Sequence, residues 1–169
     1  VEEDAYISGL IVAARQYVEA VTNRALMTQS WRLPMDAFPQ SRTIYLPVPP
    51  LQDVSSITYY DAKGTLQTLD ADYYFVDVDS EPGRVVLADS FSWPDTHSRP
   101  NAVSIQFTAG YGSETNQVPQ AIKHAMLMLI AHWYEHREAV VIGTSGNVAT
   151  EVAFAVDALL TPYRVWRLV

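Results

Sequence analysis

Val103-Ser104-Ile105-Gln106-Phe107-Thr108-Ala109 alternates apolar and polar residues, and shortly after it Pro119-Gln120-Ala121-Ile122-Lys123 opens a run with helical spacing. The first stretch reads as a strand, with Val103, Ile105 and Phe107 inward and Ser104, Gln106 and Thr108 outward. The second reads as a helix: Pro119 suits the first turn, where its missing N–H is harmless. Ile122, Ala125, Met126, Leu129, Ile130 and Trp133 form its buried stripe. The change of period from two to 3.6 marks a passage from sheet to helices.

Upstream of that strand, the region from about Thr28 to Tyr111 keeps strand character. Gln29–Met35 alternates, with Trp31, Leu33 and Met35 on one side. Thr43–Leu46 is a short strand closed by Pro47, Pro49 and Pro50. Val54–Tyr60 and Thr65–Leu69 flank Asp61-Ala62-Lys63-Gly64, a hairpin signal. Tyr73–Val78 and Arg84–Leu87 flank the turn Ser80-Glu81-Pro82-Gly83. Asp89–Asn101 is polar with two prolines and is expected to be an exposed loop.

Helices are expected on either side of this region. At the front, Ile7, Leu10, Ile11, Ala14, Val18 and Val21 repeat at helical spacing. Glu2, Glu3 and Asp4 suit the positive end of the helix dipole, and Asn23 is a natural stop because it tolerates left-handed backbone. At the back, the Pro119 helix is expected to fray near Glu138. Val140–Thr150, with Gly143 and Gly146, reads as a mobile loop, and Ala153–Leu160 as a short helix ended before Pro162. The expected fold is α+β: a small bundle of two long helices and a short C-terminal helix, with one antiparallel β-sheet domain of six or seven strands inserted between the first and second helices. The boundaries read as 1–27 with 112–169 for the helical domain and 28–111 for the insert.

Composition narrows the function. Apolar residues make up 49% of the chain and charged residues 18%, which supports a packed core rather than disorder. The balance of 11 Lys+Arg against 19 Asp+Glu gives −8, the wrong sign for wrapping nucleic acid. With no cysteine, disulfides, thiol nucleophiles and Cys-ligated metals are ruled out. The longest apolar run, Ala125–Ala131, falls far short of the about 20 residues that cross a bilayer. The acidic start is the reverse of a signal peptide, and the opening on Val1 leads us to expect a short missing N-terminal segment.

Catalytic patterns are thin. His132-Trp133-Tyr134-Glu135-His136 matches H-x-x-E-H, in which two His one helical turn apart hold zinc. No motif marks a third ligand, and the bland reading is polar flanks of the buried stripe. Gly143-Thr144-Ser145-Gly146 lacks the pattern of a nucleophile elbow, and Ala109-Gly110-Tyr111-Gly112 lacks the lysine and spacing of a phosphate loop. Asp77, Asp79 and Glu81 faintly suggest a calcium loop, but Pro82 stands where that loop needs Gly, and a solvated edge is the simpler reading. Tyr59, Tyr60, Tyr73, Tyr74 and Phe75 suit sheet packing or an interface better than base stacking, with only Lys63 and Arg84 near. The ending Tyr163-Arg164-Val165-Trp166-Arg167-Leu168-Val169 is apolar and rich in interface residue types. It either packs back on its own core or docks on another protein.

Several segments in order resemble the head–tail connector (adaptor, head-completion) proteins of long-tailed bacteriophages and gene-transfer agents, in the branch with a β insert. They are Ile11–Glu19 followed by Thr22-Asn23-Arg24-Ala25-Leu26, then Thr28-Gln29-Ser30-Trp31, then Leu46-Pro47-Val48-Pro49-Pro50-Leu51 with Val54 and Ile57-x-Tyr59-x-Asp61. Phe107–Gly112, Val118–Lys123, Trp133-Tyr134-Glu135-x-Arg137-Glu138 and Ala155-Val156-Asp157-x-Leu159-Leu160-x-Pro162-Tyr163-Arg164 complete the set. Ala153-Phe154 departs from the pattern, which has Pro before the aromatic.

The resemblance implies a structural virion protein of the head–tail junction, assembled in the bacterial host cytoplasm, with no enzymatic activity, cofactor or metal. It implies a homo-oligomeric ring of twelve copies under the portal protein. That ring would extend the DNA channel without sequence-specific DNA binding and offer a surface to a downstream tail-completion or stopper protein; no membrane is involved. On this reading Tyr163, Arg164, Val165, Trp166 and Arg167 are expected to dock on the portal, and Arg15, Glu19, Tyr134, Arg137 and Glu138 to lie between subunits. The alternatives are a metal-dependent hydrolase built on the H-x-x-E-H helix and a ligand-binding module built on the tyrosine-rich sheet.

Overall fold

A computed structural model describes residues 2–136 and 146–165. The chain divides into two units, Val1–Leu26 with Glu114–Val169, and Met27–Ser113.

The helical unit opens with α1 (Glu2–Thr22). Ala14, Val18 and Thr22 are fully buried, and Thr22 Oγ1 donates to the Val18 carbonyl at 2.7 Å. Ile11, expected inside, is 48% exposed. It lies at the flank of the buried stripe, where apolar spacing alone does not separate a half-covered position from a core one. Asn23 ends the helix with φ 54°, the left-handed geometry that asparagine tolerates. Helix α2 (Gln120–Glu135) begins after Pro119 and buries Ile122, Ala125 and Leu129.

Helix α3 spans Gly146–Leu160, so residues 146–150 are helical rather than part of a loop. Gly146 sits in the first turn, where no intrahelical N–H bond is required, so a glycine there does not break the helix. The rest of the expected loop, 140–145, lies outside the described residues. Pro162 falls in a 3₁₀ turn, Thr161–Tyr163, that follows α3.

The β unit carries seven strands in two sheets, not one. β1 (Gln29–Met35), β3 (Leu51–Tyr60), β4 (Leu66–Thr68) and β7 (Val103–Ala109) form a sheet ordered β1-β7-β3-β4. β2 (Thr43–Tyr45), β5 (Tyr74–Asp77) and β6 (Arg84–Leu87) form a second, ordered β2-β6-β5. All pairs are antiparallel. The split follows from pairing: the proline strip separates β2 from β3, and β2 pairs instead with distant β6, Ile44 opposite Val85.

In the larger sheet Phe107 stands opposite Trp31 and Val54, and Ile105 opposite Leu33 and Ile57. Residues directly opposite share a face, so these rows build one apolar layer. Val103, Ile105, Phe107 and Ile57 are buried, as the alternation predicts, while Trp31 on the edge strand is 38% exposed.

Two constrained backbone positions mark this unit. A Cβ on Gly110, whose φ is 131°, would stand 2.4 Å from the Met27 carbonyl oxygen. Val48, within the proline strip, holds φ 64°, a costly region for a β-branched residue. The 89–101 segment is tied down rather than free. Trp93 stacks on Phe38 at 4.9 Å, its Nε1 donates to the Ser41 carbonyl at 2.8 Å, and Thr96 bridges to Asp61.

Candidate assembly surfaces

The H-x-x-E-H helix shows how its histidines are used. The His132 and His136 rings lie 4.4 Å apart, and His136 Nδ1 sits 2.9 Å from the His132 carbonyl, where it caps the end of α2. Among the described residues, no three His, Cys, Asp or Glu side chains are grouped to hold a metal ion. In the fold the two histidines meet at the end of α2.

The acidic stretch is likewise committed to turns. The Asp77 carboxylate accepts from the Asp79 and Ser80 amides at 3.1 Å each, from Ser80 Oγ at 2.7 Å and from Arg84 Nε at 2.8 Å. Those donors, Ser80 first, hold its pKa down to about 2. In return the ion pair raises Arg84. Asp61 organises its hairpin in the same way. It accepts from the Thr65 and Lys63 amides at 2.9 Å and from Gln67 Nε2 at 3.0 Å, with the Thr65 amide the main cause of its lowered pKa. A carboxylate already saturated by fixed donors and a guanidinium is a turn staple.

The tyrosines are paired off individually. Tyr59 meets Phe38 edge-on at 5.7 Å, Tyr60 lies under the Arg99 guanidinium at 4.2 Å, and Tyr73 meets Phe91 at 4.1 Å. Burial, with the Asp53 and Asp70 charges behind it, raises the Tyr74 pKa. The ring contacts pack Tyr59, Tyr60 and Tyr73 within the β unit.

The expected subunit-contact residues divide. Arg15 is exposed and 3.9 Å from Glu19, one turn along α1. Glu19 also accepts the Leu26 amide at 3.0 Å, which fixes the chain after α1. Tyr134 donates to the Glu3 carboxylate and stands 6.3 Å from Tyr6, so it joins α2 to α1 within one chain. Arg137 and Glu138 lie outside the described residues.

The start of the C-terminal tail belongs to the fold. Arg24, 7% exposed, donates from Nε to the Tyr163 carbonyl at 2.6 Å. The Val165 amide donates to the Thr22 carbonyl at 3.0 Å, and Asn23 Nδ2 to the Val165 carbonyl at 2.9 Å. Arg164 pairs with Asp157 at 2.6 Å. Residues 163–165 therefore strap the end of α3 to the end of α1, while Trp166 and Arg167 lie outside the described residues. Composition left open whether this ending packs on its own core or docks elsewhere; for residues 163–165 the first holds.

Sequence reasoning missed a different feature. Tyr17, Val21, Leu129, Trp133, Val156 and Leu160 surround a groove of about 200 Å³ among the three helices. Tyr17 and Trp133 meet there edge-to-face, 6.2 Å apart at 89°. On α3 nearby, Phe154 is 76% exposed. In the sequence it shows as a large aromatic between Ala153 and Ala155, at the point where the chain departs from the pattern it resembles.

Two of the comparisons with known proteins, by family model and by solved structure, point the same way. The family model described as head completion protein matches residues 1–165. No curated protein matches. A chain from the neck of an empty gene transfer agent particle, computed with C6 symmetry, superposes with a TM-score of 0.77 at 26% identity, over 99% of this chain and 80% of that one. A chain from the virion of a native gene transfer agent particle gives the same TM-score, identity and coverage. A chain from the native neck, computed with C12 symmetry, gives 0.77 at 24% identity over 98% and 85%, a likeness of fold.

Proposed function

The chain belongs to the head completion protein family, and on that premise we propose that it is a structural protein of the virion head–tail junction that works by assembling. It forms a ring below the portal protein, extends the passage for DNA, and offers its far side to the next tail component. The observation that carries this is the whole-chain likeness to a neck protein, 99% of the chain at a TM-score of 0.77 and 26% identity. That neck was computed with sixfold symmetry, and cyclic repetition is what a head-to-tail contact yields when it closes.

The chemistry of the chain supports a mechanical role. The candidate side chains Asp61 and Asp77 staple turns, and His136 caps a helix end against His132. At −8 per copy, a ring presents a negative surface to DNA phosphates. Attraction to the wall is then weak, and the genome slides rather than sticks.

Docking on the portal falls to the end of the tail, with Trp166 and Arg167 as anchors and Arg164 at their base, since residues 163–165 already serve α1. Removing residues 166–169 is expected to leave melting unchanged and to abolish joining to portal-bearing capsids. Electron microscopy of the protein mixed with its portal tests the whole reading. A ring capping the portal is expected; free portal with unbound monomer overturns it, and normal joining by the truncated chain overturns the tail's part.

A further inference from the structure

We propose that the Phe154 ring of one copy seats in the three-helix groove of the next copy, making each joint of the ring a knob in a hole. This inference rests on the ring reading above and names the contact that would build it.

The first observation is a mismatch with solvent. Phe154 is the most exposed of the large apolar side chains described, at 76%, on a helix whose neighbouring turns bury Val156 and Leu160. The second is a complementary vacancy of fitting size. An apolar cavity of about 150 Å³ accepts benzene, so a groove of about 200 Å³ lined by Tyr17, Val21, Leu129, Trp133, Val156 and Leu160 has room for a phenyl ring. The perpendicular Tyr17 and Trp133 rings offer it the edge-to-face contacts aromatic rings prefer.

The third observation is directional. Val152 and Val156 line the groove, and Phe154 lies two residues from each. Ala153 and Asp157, one and three residues from Phe154, line it too, so Phe154 stands at the rim of the groove on α3, and at 76% exposed its ring is not seated in its own groove. Where the contact is made one way only, two joined copies leave one free knob and one free hole, which is a head-to-tail contact. Such contacts continue until they close on themselves. Charge also favours an apolar joint: copies that each carry −8 repel one another, and the charged pair at the groove, Asp157 with Arg164, is already neutralised at 2.6 Å.

The test uses the full chain, alone and with its portal. Phe154→Ser is expected to melt like the parent, and to raise the concentration for half-assembly about tenfold or more by native mass spectrometry. A photo-reactive benzoyl-phenylalanine placed at position 154 keeps the aromatic knob. In a mixture with isotope-labelled parent chain it is expected to cross-link between copies to the α1 and α2 segments around Tyr17 and Trp133. If rings form equally well with Phe154→Ser, or if the cross-links fall elsewhere, this joint is wrong while the ring stands. If the parent chain forms no ring even on its portal, the ring reading fails and takes this joint with it.

Discussion

In the β unit, apolar side chains from facing strands meet in register and close over one another, Phe107 against Trp31 and Val54, Ile105 against Leu33 and Ile57. The helical unit is finished differently. Of α1's described side chains, Ala14, Val18 and Thr22 are fully buried, while Ile11, Val12 and Tyr17 remain nearly half exposed. The β unit has its own exposed groups, but Phe75 lies on the open face of a short sheet beside the Asp77–Arg84 pair. The helical unit instead sets a bare phenyl ring close to a largely apolar groove, with His132, Asp157 and Arg164 among its lining. Both units leave large apolar groups exposed, Tyr45, Leu66 and Phe75 in the β unit and Ile11, Leu127 and Phe154 in the helical one; what sets the helical unit apart is the groove beside its most exposed ring. This division suits a protein whose partners assemble around one part of it.

The sharpest way to break the β unit is at Gly110. Alanine there must tolerate φ 131° and a carbonyl oxygen 2.4 Å from its Cβ. Backbone strain and overpacking each cost about 1–3 kcal/mol, so Gly110→Ala is expected to lose about 3 kcal/mol or more in urea unfolding. An unchanged midpoint would mean that β7 and the Met27–Thr28 backbone do not meet this closely.

A smaller loss is expected in the helical unit at Arg24. Its buried guanidinium holds the Tyr163 carbonyl, and a hydrogen bond from a charged group contributes about 1.5–3 kcal/mol. Arg24→Met is expected to destabilise by about 2 kcal/mol and to speed amide exchange at Val165, whose N–H is bonded to the Thr22 carbonyl. Protection at Val165 equal to that of the parent chain would show that the strap holds without Arg24. The two variants also test the comparison itself, because exchange in the β strands is expected to respond to Gly110→Ala and not to Arg24→Met.

Legibility in the sequence followed the same division. Alternation at Val103–Ala109 and the stripe from Ile122 gave strand and helix directly, because burial on one face imposes a period on sequence. Partition of the strands into two sheets was hidden. It depends on β2 finding β6 across a long separation, and nothing local at Thr43–Tyr45 encodes that partner. The helical start at Gly146 was masked by glycines that suit loops and first turns equally. Among the surfaces, the tail stood out by composition, yet its internal use depends on Arg24, far away in the chain. The groove was illegible because it is a property of three helices at once, whereas Phe154 was visible as a residue but had no hole to pair with.

The smallest expected effect concerns acid. Asp77 ordinarily titrates near 3.8, and the Ser80 and Arg84 donors hold it down to about 2 in the fold. Between those values the unfolded chain binds the proton that the folded one refuses. Stability from this staple is therefore complete above about pH 4 and is lost as pH falls through 2. Asp77→Asn keeps the shape and removes the titration. The parent and variant melting temperatures are expected to differ at pH 6, with the parent higher, and to converge as pH approaches 2. Asp61, lowered chiefly by the Thr65 amide, is expected to act in the same direction, so the double variant should flatten the acid limb further than either alone. Since both staples lie in the β unit, amide exchange at pH 3 should first rise around Asp77–Arg84 and the Asp61 hairpin, while α1 and α2 keep their protection. Early loss in α1 would mean that the helical unit is the more acid-sensitive one, and would move the weak point of the molecule away from these turns.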